Sequence, residues 1–184
     1  MASARQRGWH TASDRGIFRC VPIHPALFFY TCALVLGIVA GMRSVMAPAV
    51  LAITLSRRPE YAPALTPVHW FTLVPVAVVL GVAALGELVA DKLPATPNRT
   101  ALGPFVARFA SGAITGAAIV QIGQFNPWFG AACGALGAIL STFGAFHARR
   151  FVARTTSIRD PLIGGAEDIV AIALAATVMA TLVG

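Results

Sequence analysis

Apolar residues fill the chain in long runs, separated by short polar or proline-bearing stretches, and those runs define its elements. The first extends from Pro25 to Gly41. Arg43 and Ser44 then interrupt it, and Pro48 follows a few residues later. Val45 to Leu55 is apolar again, but it is too short for the roughly 20 residues that crossing a hydrocarbon core requires. It reads as a re-entrant or interfacial piece, or as the end of one long, broken helix. Broken helices free backbone groups at membrane depth and often line binding sites in transporters. A clear span is expected from about Val68 to Ala90, with His69 and Trp70 where an aromatic belt would lie and Pro75 placed to kink it. Phe109 to Gly123, Phe129 to Ala148 and Ala166 to Val183 complete the set. Gly164 and Gly165 suggest a flexible joint before the last run. Glu167 and Asp168 open that run as an acidic pair, favourable at a helix N-terminus.

This pattern predicts an all-α, polytopic transmembrane helix bundle of about five spans plus a short re-entrant or broken helix. Residues 1–24 form a basic cytoplasmic tail, and 25–184 form the helical domain. The arginines argue for the topology. If Val45–Leu55 does not cross, the tail, the Lys92–Arg108 loop and the Arg149–Arg159 loop share one side, opposed only by Arg57 and Arg58. The positive-inside rule then puts the N-terminus of a multi-pass membrane protein in the cytoplasm and the C-terminus outside. A faint internal repeat accompanies this, with halves at about 25–93 and 100–184. Each half opens on a small-xxx-small helix, Gly37/Gly41 and then Gly112/Gly116. Each also carries an acidic element late, and three elements per half would invert the second half relative to the first.

Composition narrows the class. Of 184 residues, 57% are hydrophobic and only 11% charged, with a mean hydropathy of +0.76, and a soluble domain so built would expose large sticky patches. The net charge of +7 does not indicate nucleic acid, because the arginines lie between apolar runs without aromatic interleaving. Cys20, Cys32 and Cys133 have no paired spacing, and His10, His24, His69 and His147 are scattered, so neither a disulfide framework nor a metal site is expected. Asn98-Arg99-Thr100 matches the glycosylation sequon, but the expected topology leaves it in the cytoplasm. No catalytic motif stands out, and the expectation is a non-enzyme without a cofactor. The partners expected are membrane lipids, a second copy through the glycine-rich faces, and an unspecified small solute or ion.

The candidate chemistry lies in charges within or beside the apolar runs: Arg43, Glu87, Asp91, Lys92, Glu167 and Asp168. Glu87 and Asp91 are four apart and share a helix face, with Pro94 stopping the helix beyond them. An isolated charge in the hydrocarbon costs roughly 2.5–3.5 kcal/mol on insertion scales, so these groups should pair or face water. Arg43, carried by the broken helix, is expected to pair with Glu87 or with the Glu167/Asp168 pair. Two uses follow: an ion or solute pathway through a transporter or channel, or a lock in a structural or lipid-interacting assembly protein.

Gly41-Met42-Arg43-Ser44 with Pro48, and Glu87-Leu88-Val89-Ala90-Asp91-Lys92-Leu93-Pro94 with Pro97 and Arg99, resemble the bacterial integral membrane proteins of domain of unknown function family 4126. Arg108 with Ser111-Gly112-Ala113, and Glu167-Asp168, are similar to that family's second half. The resemblance runs from about Leu34 to the C-terminus and implies an inner-membrane protein. It implies no activity.

Overall fold

In a computed structural model, the described residues are 24–63, 66–90, 102–155 and 160–183, and side chains are not described at 146 or 149–163. The basic tail, Asp91, Lys92 and the 98–100 sequon therefore lie outside the described residues. Among the described residues, six α-helices carry the fold: α1 (Pro25–Met42), α2 (Met46–Arg57), α3 (Val74–Ala90), α4 (Leu102–Ile122), α5 (Pro127–Thr155) and α6 (Asp160–Val183). Two short 3-10 turns, Pro59–Tyr61 and Pro67–Thr72, join α2 to α3.

Among the described residues, four stretches are long and apolar enough to cross a membrane: Pro25–Met42, Leu102–Ile122, Pro127–Ala145 and Gly164–Val183. At 12 and 17 residues, α2 and α3 are apolar but shorter. Large apolar side chains face outward along the helices, among them Val78, Val82 and Leu85 on α3 and Leu136 and Leu140 on α5. A bilayer removes the cost of that exposure.

Helix starts explain where these boundaries depart from expectation. Proline is tolerated in a first turn, because the N–H it lacks would be unsatisfied there anyway. Pro75 accordingly occupies the second position of α3 and starts the helix instead of kinking it, while the segment around His69 and Trp70 forms a 3-10 turn. Pro104 lies in the first turn of α4, which begins at Leu102 and thus seven residues before Phe109. Asp160-Pro161 opens α6, so Gly164-Gly165 is helical rather than a joint. Glu167 and Asp168 consequently stand two turns inside α6, where a capping role at the N-terminus is closed to them.

Contacts along the chain fix the helix directions. Gly37 of α1 meets Gly134 of α5, and Gly41 meets Ala138, so α1 and α5 run parallel. Gly112 and Gly116 of α4 meet Gly134 and Gly130, so α4 runs antiparallel to α5. A Cβ on Gly112 would come within 2.7 Å of the Gly134 carbonyl oxygen, and one on Gly116 would overlap the Gly130 carbonyl. Without a hydrophobic drive between helices inside lipid, such close backbone approach supplies the packing energy. These three helices form one tightly fitted block.

The other helices lean on that block. Arg43 touches Asp168 near one end of α6, while the Tyr61 hydroxyl donates to the Val183 carbonyl at the other, 3.3 Å away. Since α6 also packs along α1, α2 must turn back beside α1 rather than extend it. In turn, α3 returns antiparallel to α2, with Gly81 beside Ile53 and Glu87 level with Ser44. The core lies where α1, α2, α4 and α6 meet, around Phe29, Leu36, Leu51, Leu55, Ile119 and Met179.

The return of α2 corrects the expected arrangement of basic residues. The start of α1 and the Arg57–Arg58 tip lie at one end of the bundle, and Arg108 and the C-terminal part of α5 at the other. The basic residues are therefore shared between ends, because the chain reverses at Arg43 and α2 runs back to the α1-start end, farther than a short re-entrant piece and opposite to the continuation of a broken helix. Trp70 and Trp128 are 68% and 81% exposed and sit at the α1-start end, as an interfacial belt requires. Among the described helices, directions alternate from α1 to α6. Glu87 and Asp168 nevertheless lie at the same end, so they are not equivalent positions of an inverted repeat.

Candidate polar site at the break between the first two helices

Arg43 terminates α1 in an extended conformation (φ −139°, ψ 112°), its N–H still bonded to the Val39 carbonyl at 2.8 Å. Three residues later α2 begins, with the Met46 N–H bonded to the Arg43 carbonyl at 3.3 Å. A helix start leaves its first N–H groups without partners inside the helix, and a buried one must find them elsewhere. Neither Ser44 nor Val45 supplies a capping side chain to its own helix.

Glu87 of α3 supplies the cap instead. Its Oε1 accepts from the Ser44 N–H at 2.8 Å and from the Ser44 hydroxyl at 2.5 Å, and its Oε2 accepts from the Val45 N–H at 2.9 Å. A carboxylate at a helix N-terminus also meets the positive end of the helix dipole, which favours its charge. Pro48 completes the economy of that first turn, since it has no N–H to satisfy.

The guanidinium turns the other way. Arg43 is 2% exposed; its Nε donates to Asp168 Oδ1 at 2.6 Å, and its Nη2 closes on the same oxygen. Asp168 is itself buried, so both charges are removed from solvent together, which is the condition under which a buried pair is tolerated. The expectation that Arg43 pairs with an acidic residue is met by Asp168 and not by Glu87. Its neighbour Glu167 is half-buried.

Hydroxyls close the remaining acceptors. Ser111 of α4 donates to the Ser44 carbonyl, Ser141 of α5 donates to the Ile38 carbonyl at 2.7 Å, and Thr142 donates to the Gly41 carbonyl at 3.3 Å. The break thus collects groups from α1, α3, α4, α5 and α6. Sequence reasoning found Arg43, Glu87 and Asp168 by their charge, and found Gly37, Gly41, Gly112 and Gly116 by their spacing. It missed the roles of Ser111, Ser141 and Thr142, and the burial of Arg108, which is only 5% exposed. A hydroxyl in a span is too common to single out, although hydroxyls facing a broken helix are the ones with carbonyls to serve.

Beside the break lies a groove of about 630 Å³ between α3 and α4, walled by apolar side chains such as Phe71, Val76, Leu80 and Ile114, with Ser44 and Ser111 at one end. Among the described residues, no three His, Cys, Asp or Glu side chains gather as a metal site would need. Chemically, the arrangement offers two carboxylates held by specific donors, one buried cation, and a helix start whose exposed N–H groups would appear only if Glu87 moved away.

No curated protein and no solved structure matches the chain. A family profile described as domain of unknown function (DUF4126) matches residues 31–182, a stretch that contains every helix but the start of the first and the last residue of the sixth, and the chain belongs to that family.

Proposed function

We propose that this membrane protein is a small transporter or channel for an ion or small solute, with the break between α1 and α2 as its moving part. The observation that carries this reading is the way Glu87 holds the start of α2. One carboxylate on a neighbouring helix masks two backbone N–H groups at a buried helix break, so its departure or protonation would expose donors suited to an anion or a polar solute. Arg43 and Asp168 anchor the other side of the same break and give a second group that exchanges partners as the helices shift.

A second reading has its own support: the protein is a structural or lipid-interacting assembly protein, and the charges lock its helices. Both oxygens of Glu87 are engaged by backbone and hydroxyl donors, which leaves little coordination for an ion. Flux and current in proteoliposomes separate the two. Wild type and Glu87→Gln are compared across a pH gradient with a panel of anions and cations, beside a thermal melt of each protein in lipid. Flux in the wild type that disappears in the folded fraction of the variant supports transport. Silence for every solute, with the variant merely less heat-stable, supports the lock.

A further inference from the structure

The groove between α3 and α4 carries an inference that is independent of whether anything crosses the membrane. Although both helices border it, α3 and α4 hardly touch each other, so the space between them opens sideways. Its walls carry exposed apolar side chains, Val79 on α3 and Ile114 on α4. In a bilayer that mouth opens onto hydrocarbon, so what enters comes from the membrane and not from water. From Ser44, level with Glu87, the groove reaches down to Pro75, twelve residues earlier on α3, or about 18 Å at the helical rise. Its volume of about 630 Å³ is that of a small-molecule site.

The polar end selects the head of the occupant. The Ser44 hydroxyl proton is spent on Glu87 and the Ser111 hydroxyl proton on the Ser44 carbonyl. The two hydroxyl oxygens at the groove are therefore acceptors with no proton to offer. The Glu87 carboxylate lies one hydrogen bond from Ser44, and the N–H groups of Ser44 and Val45 are already taken. Charge and hydrogen bonding both disfavour an anionic or acceptor-only head. We propose that this groove binds a membrane-soluble molecule with one long apolar tail and a neutral, hydrogen-bond-donating head, an aliphatic or isoprenoid alcohol by chemical class, its hydroxyl donating to Ser44 or Ser111.

The test uses the full chain in phosphatidylcholine nanodiscs at pH 8. Three photoreactive diazirine probes share one long alkyl tail and end in an alcohol, a methyl ether or a carboxylate. The alcohol should label peptides of α3 and α4 at the groove about tenfold more than either other probe, the scale of one neutral hydrogen bond. Ala110→Trp, at an exposed groove position, should abolish that labelling without lowering the melting temperature. Val79→Trp provides an independent block on the opposite wall. Equal labelling of the wild type by all three probes would reduce the groove to hydrocarbon solvation and overturn the proposal. Preference for the carboxylate, or alcohol labelling that survives both tryptophan variants, would overturn it as well.

Discussion

Removing one acceptor from the cap on α2 should be costly, and the structure fixes the size. In Glu87→Gln the side-chain oxygen still reaches the Ser44 N–H and hydroxyl, but as a neutral acceptor. Each of those two bonds falls from the charge-assisted to the neutral range, a loss of about 1 kcal/mol apiece. The amide nitrogen then faces the Val45 N–H, donor against donor, and orphaning a part-buried donor costs roughly 1–3 kcal/mol. Interhelical bonds in membranes run smaller than in water, averaging about 0.6 kcal/mol in one measured case, so a total of about 3 kcal/mol is expected. Stability is read by chemical unfolding in micelles, and the local effect by hydrogen exchange. The Ser44 and Val45 amides should exchange on the order of a hundredfold faster if opening of the cap limits them. An unchanged unfolding midpoint, with both amides still protected, would refute Glu87 as the cap. Faster exchange throughout α1 and α5 alone would place the damage elsewhere.

Breaking the other buried contact gives a second test: Arg43→Met or Asp168→Leu alone should destabilise by about 3–5 kcal/mol, while the double variant recovers most of that, as a double-mutant cycle in micelles would show. Gly134→Ala should cost about 1–3 kcal/mol because its Cβ would overlap the Gly112 backbone, whereas Gly86→Ala, with open space around it, should be neutral or gain up to about 1 kcal/mol of helix propensity; thermal melts compare the two. Gln124 sits in the left-handed region at φ 60° in the turn from α4 to α5, so Gln124→Gly should raise the stability by about 0.5–1 kcal/mol in the same assay.

The alternation of apolar runs with prolines and arginines made the membrane class and the helix content legible from the chain, because lipid leaves a spanning segment little freedom in composition. Boundaries were less legible. Pro75, Pro104 and Pro161 each look like interruptions in a linear reading and each proves to be a helix start. The polar site was half visible. Charge alone brought Arg43, Glu87 and Asp168 together as candidates, but pairing Arg43 with Asp168 depends on the register of α6, set 125 residues away by contacts with α1 and α2. The direction of α2 was left open, between a re-entrant piece and the end of a broken helix, for a related reason. A short apolar run states a length and not a direction, and the direction is settled by contacts with α6 and by a cap carried on α3.

That cap has a consequence for how the molecule is held together. Helices α1, α4 and α5 are fastened by backbone-to-backbone contact along their length, but α3 buries only Ala77 and Ala84. Lipid gives α3 no reason to stay, since its outward valines and leucines are as well solvated by acyl chains as by protein. Its attachment is therefore concentrated in two places, the seam with α2 and the single carboxylate at its far end. A wall fixed in this way leans on one neighbour, α2, and is tied at its upper end by one charge. Among the described residues nothing comparable fastens it to α4, so the width of the space beside it becomes a property that the surrounding lipid can set.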